Sequence, residues 1–350
     1  FHVPIDTMVP GGFSIGERLA MLVDHYRRVI DYLRISVTDR CNLRCIYCMP
    51  DEGIEFLPHC EILSYEEIIR VVSIGARLGI RKVRITGGEP LVRRDLERLI
   101  SGLSRIEGLE DISMTTNGLL LAEKAHELRR CGLKRVNISL DSLDPEKYRS
   151  ITRGGDLGKV WAGVEAALEV GLCPVKINVV AMDSQEPEEV VAFGDLAFHW
   201  PLEVRFIERM PLGASSRGAS GGFLSAETVL GILSSRFHLV EETSRGGNGP
   251  ATSYRIKGGK GSIGIIAPMT RHFCQDCNRL RLTPDGKLKP CLFSRDEIDL
   301  RGILRGGATD EQVAQTLLHA IRQKPKRGAP GIPEDKREKK CVRPMNRIGG

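Results

Sequence analysis

The strongest constraint on this chain is an alternation of strand-like and helix-like stretches running from about residue 31 to residue 209. Candidate strands are 32–38, 82–86, 112–116, 135–141, 174–180 and 203–207, and helical periodicity fills 65–78, 93–103, 122–130, 157–170 and 187–198. Strands separated by helices pair in parallel through right-handed crossovers. Six such units fall short of the eight of a closed barrel.

Alternate side chains of a strand point to opposite faces. Leu33, Ile35 and Val37 oppose Arg34, Ser36 and Thr38, and Val83 and Ile85 oppose Lys82, Arg84 and Thr86. Ile112 and Met114 oppose Ser113 and Thr115, Val136 and Ile138 oppose Asn137 and Ser139, and Val175, Ile177 and Val179 oppose Lys176 and Asn178. Parallel strands are normally apolar on both faces. The pattern therefore predicts a partial, six-stranded parallel β/α barrel with an open, polar interior. Its lining would be Arg34, Lys82, Arg84, Thr115, Ser139, Lys176 and Asn178. Buried charges need partners, and arginine binds phosphate bidentately, so four cations on one inner wall fit a polyanionic ligand.

Past residue 220 the pattern changes to an α+β extension: a helix over 226–237, short strands at 253–256, 261–266, 279–283 and 287–292, and a helix over 310–321. Pro284, Asp285 and Gly286 mark a hairpin turn between the last two strands. The expected divisions are an N-terminal extension (1–30), the barrel (31–212), a C-terminal region (213–321), and a basic linker with a glycine tail (322–350). Residues 1–16, rich in Gly and Pro, are expected to be loosely ordered. Of the net charge of +6, residues 322–340 carry +5. With Pro325, Gly328, Pro330, Gly331 and Pro333, that segment reads as a mobile, solvated tether. Charge confined to one segment, with only 5% aromatic residues for stacking, argues against nucleic acid as partner. No apolar run has the length of a membrane span. The expected location is the cytoplasm, or the mitochondrial matrix in a eukaryote.

Six of the 10 cysteines form two triplets: Cys41, Cys45 and Cys48 in C-x3-C-x2-C spacing, and Cys274, Cys277 and Cys291 in C-x2-C-x13-C spacing. A four-iron cluster takes four ligands, so three thiolates leave one iron open to another molecule. With no signal peptide visible, close cysteine pairs point to metal or redox work rather than disulfides. Zinc is the alternative. The first triplet has only His59 and Cys60 nearby as a fourth ligand, whereas for the second triplet spacing alone leaves zinc open, as in a zinc-bearing RNA-binding protein. Cys60, Cys131, Cys173 and Cys341 stand alone and are expected to act as small hydrophobes.

The first triplet just after a strand, with Thr86-Gly87-Gly88-Glu89-Pro90 at the end of the next, resembles the radical S-adenosylmethionine enzymes. The run Phe273–Thr283 with Cys291, the run Ser36–Asn42, Phe206-Ile207-Glu208 with Met210, and Gly349-Gly350 resemble the GTP 3′,8-cyclases, which open molybdenum cofactor biosynthesis. The resemblance covers roughly residues 20–350. It implies one [4Fe–4S] cluster on Cys41, Cys45 and Cys48 and a second on Cys274, Cys277 and Cys291. It also implies S-adenosylmethionine at Tyr47, Gly88, Ser139 and Met210, and GTP at Arg34, Lys82, Arg84, Thr115, Lys176, Arg279, Leu280 and Arg281. Gly349 and Gly350 would reach into the active site. Implied partners are a flavodoxin- or ferredoxin-type electron donor, cyclic pyranopterin monophosphate synthase downstream, and a second copy of the chain in a homodimer. A rival within the superfamily is an enzyme maturing a peptide or tRNA, with the second cluster as an electron relay.

Overall fold

The computed structural model describes residues 22–50, 53–210, 222–242, 249–328 and 343–349 of the 350-residue chain. The expectations for residues 1–16, for most of 322–350 and for Gly350 lie outside the described residues. The alternating region forms six parallel strands: β1 (Tyr32–Ser36), β2 (Lys82–Thr86), β3 (Asp111–Thr116), β4 (Arg135–Ser139), β5 (Val175–Ala181) and β6 (Leu202–Glu208). Between them run α1 (Tyr65–Leu78), α2 (Leu96–Ser104), α3 (Leu121–Arg130), α4 (Pro145–Thr152), α5 (Leu157–Glu169) and α6 (Pro187–His199). The short α4 follows Asp144, whose carboxylate accepts from the Lys147 amide at 2.7 Å, and Pro145, a residue suited to a first helical position.

The C-terminal half adds α7 (Ala226–Ser234), β7 (Leu239–Glu242), β8 (Thr252–Ile256), β9 (Ser262–Ile266), β10 (Arg279–Leu282), β11 (Lys287–Lys289), β12 (Ile298–Asp299), α8 (Leu300–Arg305) and α9 (Asp310–Arg322). Its strands join the same sheet at both edges, in the order β12-β11-β10-β1-β2-β3-β4-β5-β6-β9-β8-β7. Strand β10 pairs parallel with β1, and β9 pairs parallel with β6. The parallel run is thus longer than the six strands read from the sequence, and the sheet does not close.

The core lies between the sheet and its helices. Leu33, Ile35, Val83, Ile85, Met114, Val136, Ile138, Ile177 and Val204 are fully buried there, packed with Ile68, Val71, Leu99, Leu128, Val164 and Phe193. Helix α1 shows how local sequence sets its ends. The Glu67 amide donates to Ser64 Oγ at 3.1 Å while the Ser64 amide donates to Glu67 Oε2 at 2.7 Å, a reciprocal cap. Gly79 ends the helix in the left-handed conformation. All of this leaves the polar strand faces turned inward. No helix among the described residues is long and apolar enough to cross a membrane.

Leu33→Ala should cost about 2–5 kcal/mol because it opens a cavity in this packed layer. Ser64→Ala should cost about 1 kcal/mol by removing a cap. Anaerobic urea denaturation at matched iron content checks both, and an equal loss from the two would contradict the assignment of Leu33 to the core.

Candidate functional site

The polar strand faces enclose a cavity of about 1160 Å³. A single small-molecule site is commonly about 300–1,000 Å³, so the volume suits more than one ligand. Arg34, Lys82, Arg84, Thr115, Ser139, Lys176 and Asn178, grouped by strand periodicity, all line it. So do Tyr47, Gly88, Met210, Arg279 and Arg281, and all six triplet cysteines. Leu280 is placed differently. Its side chain is 1% exposed and belongs to the apolar layer, so only its backbone is available to a ligand.

Register explains the concentration of charge. Arg34 lies level with Arg281 on β10 and with Arg84 on β2, which places three arginines side by side on adjacent strands. One level below, Tyr32 is flanked by Arg279 and Lys82. Arg84 donates to Ser113 Oγ at 3.3 Å and faces the Tyr32 ring, and Arg281 donates to the Gly349 carbonyl at 2.7 Å. Neither forms an ion pair with a carboxylate among the described residues. Burial, with Arg279 beside it, pulls the Arg281 guanidinium down to about 10. Burial, then Arg281, lowers Arg34 well below its ordinary value. Burial would raise the Tyr32 phenol, yet Arg84 and Arg34 draw it below its usual range. The wall carries an excess of positive charge, and an anion would relieve it.

The sequence reading missed two further cations, Arg135 and Arg205, and two acids that partner them. Arg135 pairs with Asp111, and Glu203 bridges Lys176 Nζ and Arg205 Nε, each at 2.5 Å. Strand alternation carried the signal, since Arg135 and Asn137 share the inner face of β4, as do Glu203 and Arg205 on β6. Lys82 reaches Asp31 at 3.5 Å. Thr115 Oγ1, Asn137 Oδ1 and Asn178 Oδ1 are buried without a hydrogen-bond partner among the described residues. Native structures rarely leave such atoms unsatisfied, so these three fit a bound ligand.

The two triplets stand at opposite ends of this cavity. Cys41, Cys45 and Cys48 follow the C-terminal end of β1, whereas Cys277 directly precedes the N-terminal end of β10, which runs parallel to β1. Antiparallel β11 returns the chain to that end, where Cys291 follows. At about 3.3 Å per residue the strands between them span on the order of 15 Å. All nine cysteines described are free thiols. Among the described residues, no three His, Cys, Asp or Glu side chains are arranged to hold a single metal ion.

The ends differ in charge. Burial pushes the Cys41 thiol to about 11 and the Cys48 thiol to about 12, and Cys45 also rises. Thiols in such a setting ionise when a metal takes the proton's place. Glu89 and Asp141 lie beside this end; burial raises Glu89 to about 7 and Asp141 to about 6, a shift that a cation beside them would reverse. Glu89 accepts from Thr116 Oγ1 and the Asn117 amide, both at 2.7 Å, and Asp141 accepts from Tyr47 Oη at 2.6 Å and the Val180 amide at 2.9 Å. At the other end burial would raise Cys277, but Arg279 and Lys324 overcome it and bring the thiol down to about 6.

Two glycines admit close backbone approach. A Cβ on Gly88 would stand 2.3 Å from the Arg40 carbonyl oxygen, in the loop that leads to the first triplet. Gly349 has φ +78°, and a Cβ there would meet Thr86 Oγ1 at 2.3 Å. Arg343 anchors the segment 343–349 with two hydrogen bonds to Asp285, at 2.8 and 2.9 Å, and Asn346 donates to the Asp39 carbonyl at 2.7 Å. Met345 and Asn346 line the cavity, while Gly349 packs between Ser36 and Thr86.

One expectation is corrected. The sequence reads as a solvated tether from residue 322, yet Lys324 and Gly328 are buried against the second triplet. Lys324 can be buried because its ammonium finds three acceptors there. Gly88→Ala should displace the loop bearing the first triplet, lowering the iron of anaerobically reconstituted protein from about eight to about four per chain. Iron analysis checks this, and full loading would contradict the close approach.

Family models match in two parts: the radical SAM superfamily over residues 35–197 and molybdenum cofactor synthesis C over residues 202–330. A curated GTP 3′,8-cyclase of Pelotomaculum thermopropionicum is 51% identical over 305 residues, covering 87% of this chain and 94% of that protein. One from Thermodesulfovibrio yellowstonii is 48% identical over 328 residues, covering 93% and 99%. The fold resembles Streptococcus suis SuiB bound to S-adenosylmethionine, with a TM-score of 0.60 at 15% identity over 88% of this chain and 71% of that one. A single sheet bearing two free cysteine triplets on one cavity, matched over nearly its full length by these relatives, belongs to the GTP 3′,8-cyclase family of radical S-adenosylmethionine enzymes.

Proposed function

We propose that the cavity holds GTP between its two triplets and converts it to (8S)-3′,8-cyclo-7,8-dihydroguanosine 5′-triphosphate, the first step of molybdenum cofactor biosynthesis. The observation that carries this reading is the cavity's polarity. Carboxylates Glu89 and Asp141 flank the first triplet, and the level row Arg281, Arg34 and Arg84 lies toward the second. S-adenosylmethionine brings a sulfonium and an ammonium, which suit the carboxylate end. A triphosphate suits the arginines.

In this reading Cys41, Cys45 and Cys48 hold one [4Fe–4S] cluster, and Tyr47, Gly88, Ser139 and Met210 seat S-adenosylmethionine beside it. Cys274, Cys277 and Cys291, which line the cavity, would hold the other, and three thiolates would leave it a coordination position for the guanine. Arg34, Lys82, Arg84, Thr115 and Lys176 bind GTP, with Arg279, the Leu280 backbone and Arg281 near the base. When bound, the first cluster and S-adenosylmethionine would supply the radical chemistry of the conversion: removal of the C3′ hydrogen to 5′-deoxyadenosine, C3′–C8 bond formation, and uptake of one electron and one proton. The protein's part is placement. The arginine row offsets the triphosphate charge, Thr115, Asn137 and Asn178 offer unsatisfied polar atoms, and the anchored segment 343–349 narrows access for water. By family resemblance Gly349 and Gly350 would act at this site, and of the two Gly349 lies within the described residues. By family resemblance, electrons come from a flavodoxin- or ferredoxin-type donor, cyclic pyranopterin monophosphate synthase takes the product, and the chain acts as a homodimer.

Anaerobic incubation of protein holding about eight irons with GTP, S-adenosylmethionine and dithionite should yield the cyclic nucleotide and GTP-dependent 5′-deoxyadenosine. Absence of both defeats the proposal. Gly349→Ala should lower turnover at least tenfold while GTP still binds, because the added Cβ meets Ser36 and Thr86 and, of the arginine row, the Gly349 carbonyl takes a hydrogen bond from Arg281 alone. Parallel turnover and GTP-binding assays test that split.

GTP affinity should also depend on pH. Burial, then Arg205, pulls Lys176 down to about 8, against the opposing pull of Glu203. Lys176 is therefore charged below about 8, and the triphosphate favours that charged form. Affinity should hold below pH 8 and weaken as pH rises through it, by at most about tenfold per unit for one proton. Lys176→Arg, which keeps its charge, should flatten the profile. Anaerobic equilibrium dialysis from pH 7 to 9 makes the measurement, and a flat wild-type profile would contradict it.

A further inference from the structure

The second triplet is enclosed by a segment that none of the site assignments includes. Lys324 is 4% exposed, although lysine is among the residues least often buried. Its ammonium donates to the Arg279 carbonyl at 2.7 Å and the Pro290 carbonyl at 2.9 Å, and lies 3.6 Å from Cys277 Sγ. Of those three acceptors, Arg279 opens β10, Cys277 lies two residues before it, and Pro290 follows β11 and directly precedes Cys291.

The residues that follow continue the enclosure. Arg28, fixed by Asp24 at 2.6 Å, donates to the Cys274 carbonyl at 2.7 Å and to the Pro325 carbonyl at 2.8 Å. Gly328 is buried beside Cys291 and lines the cavity. The stretch Lys324–Gly328 therefore meets the surroundings of all three second-triplet cysteines. At the first triplet the donors described are neutral: Cys41 Sγ accepts from the Leu43 amide at 3.4 Å and lies 3.9 Å from Asn117 Nδ2, and the Asn346 backbone amide reaches Cys48.

We propose that Lys324 is a positioning residue of the second cluster: its ammonium hydrogen-bonds a ligand sulfur, fixes the loop geometry that leaves one iron facing the cavity, and makes this cluster easier to reduce than an apolar side chain there would. The physical basis is general. Hydrogen bonds and positive charge at a ligand sulfur stabilise the more negative, reduced state of an iron–sulfur cluster. A lysine with its ammonium held by two carbonyls cannot swing away to solvent without leaving those carbonyls unpaired. The inference rests on the second triplet holding a cluster, a reading that total iron tests separately.

The experiment is a redox titration followed by electron paramagnetic resonance on the anaerobically reconstituted full chain, with Lys324→Met and Lys324→Arg beside the wild type. Wild type holding only about four irons would defeat the second-cluster reading itself. With about eight present, Lys324→Met should move the second cluster's midpoint to more negative potential and leave the first cluster's unchanged, and Lys324→Arg should restore most of the shift. Loss of the second cluster's iron from the methionine variant but not from the arginine variant would equally support the proposal, read as affinity. An unmoved midpoint, an equal shift of both clusters, equal shifts in both variants, or iron loss from both variants would overturn it.

Discussion

Three guanidinium groups at one level of a parallel sheet set the terms for the structure around them. Adjacent strands lie about 4.8 Å apart. At that spacing neighbouring unit charges repel by about 3 kcal/mol per pair even at an effective dielectric constant of about 20. Arg281, Arg34 and Arg84 hold this arrangement because the other face of the same strands is fully buried, with Leu33, Ile35, Val83 and Leu280 locked against helices. The protein supplies partial compensation: the Tyr32 ring, the Ser113 hydroxyl and the Gly349 carbonyl. Elsewhere on the wall compensation is by acids, with Asp111 on Arg135 and Glu203 on Lys176 and Arg205. A wall partly neutralised by its own acids keeps an excess of positive charge without depending on a ligand to hold its shape.

That division of charge also separates the two triplets chemically. The first stands among buried neutral donors with Glu89 and Asp141 nearby, an environment favouring a cationic ligand. The second stands among Arg279, Arg281 and Lys324, an environment favouring thiolates and anions. Two chemically similar trios of cysteines thus stand in different electrostatic surroundings, set by residues outside both triplets. The segment Lys324–Gly328 at one end and 343–349 at the other are joined by few residues in sequence. Both pack onto the sheet through buried polar contacts, Lys324 on carbonyls and Arg343 on Asp285.

Much of this was legible in the sequence because the inner and outer faces of a strand differ by one residue. Alternation placed Arg34, Arg84, Thr115 and Lys176 on one wall, and helical periodicity over 65–78 and 187–198 set the ends of α1 and α6 to within a residue. Sheet order was not legible. Strand β10 lies more than 240 residues from β1, and no local pattern says that it pairs parallel beside it, so the Arg281–Arg34–Arg84 row emerges only from the fold. Local composition misread Lys324 for the same reason. Lysines, prolines and glycines in succession describe a solvated linker until Cys277, Arg279 and Pro290 are brought to the ammonium from elsewhere in the chain. Leu280 shows the converse. It lies inside a functional motif, yet the period of two turns its side chain to the core.

The failure of the sheet to close is what gives these charges something to act on. A closed eight-stranded barrel fills its interior with side chains. Here eight strands run parallel, but β10 continues into antiparallel β11 and β12, and β9 is flanked by antiparallel β8 and β7. Residues from both ends of the sheet, Pro290 and Leu292 on one side and Ser253 and Arg255 on the other, line the same cavity. The two C-terminal extensions therefore widen the barrel instead of completing it. The cavity of about 1160 Å³ left inside runs between the two triplets, whose separation the strand length sets.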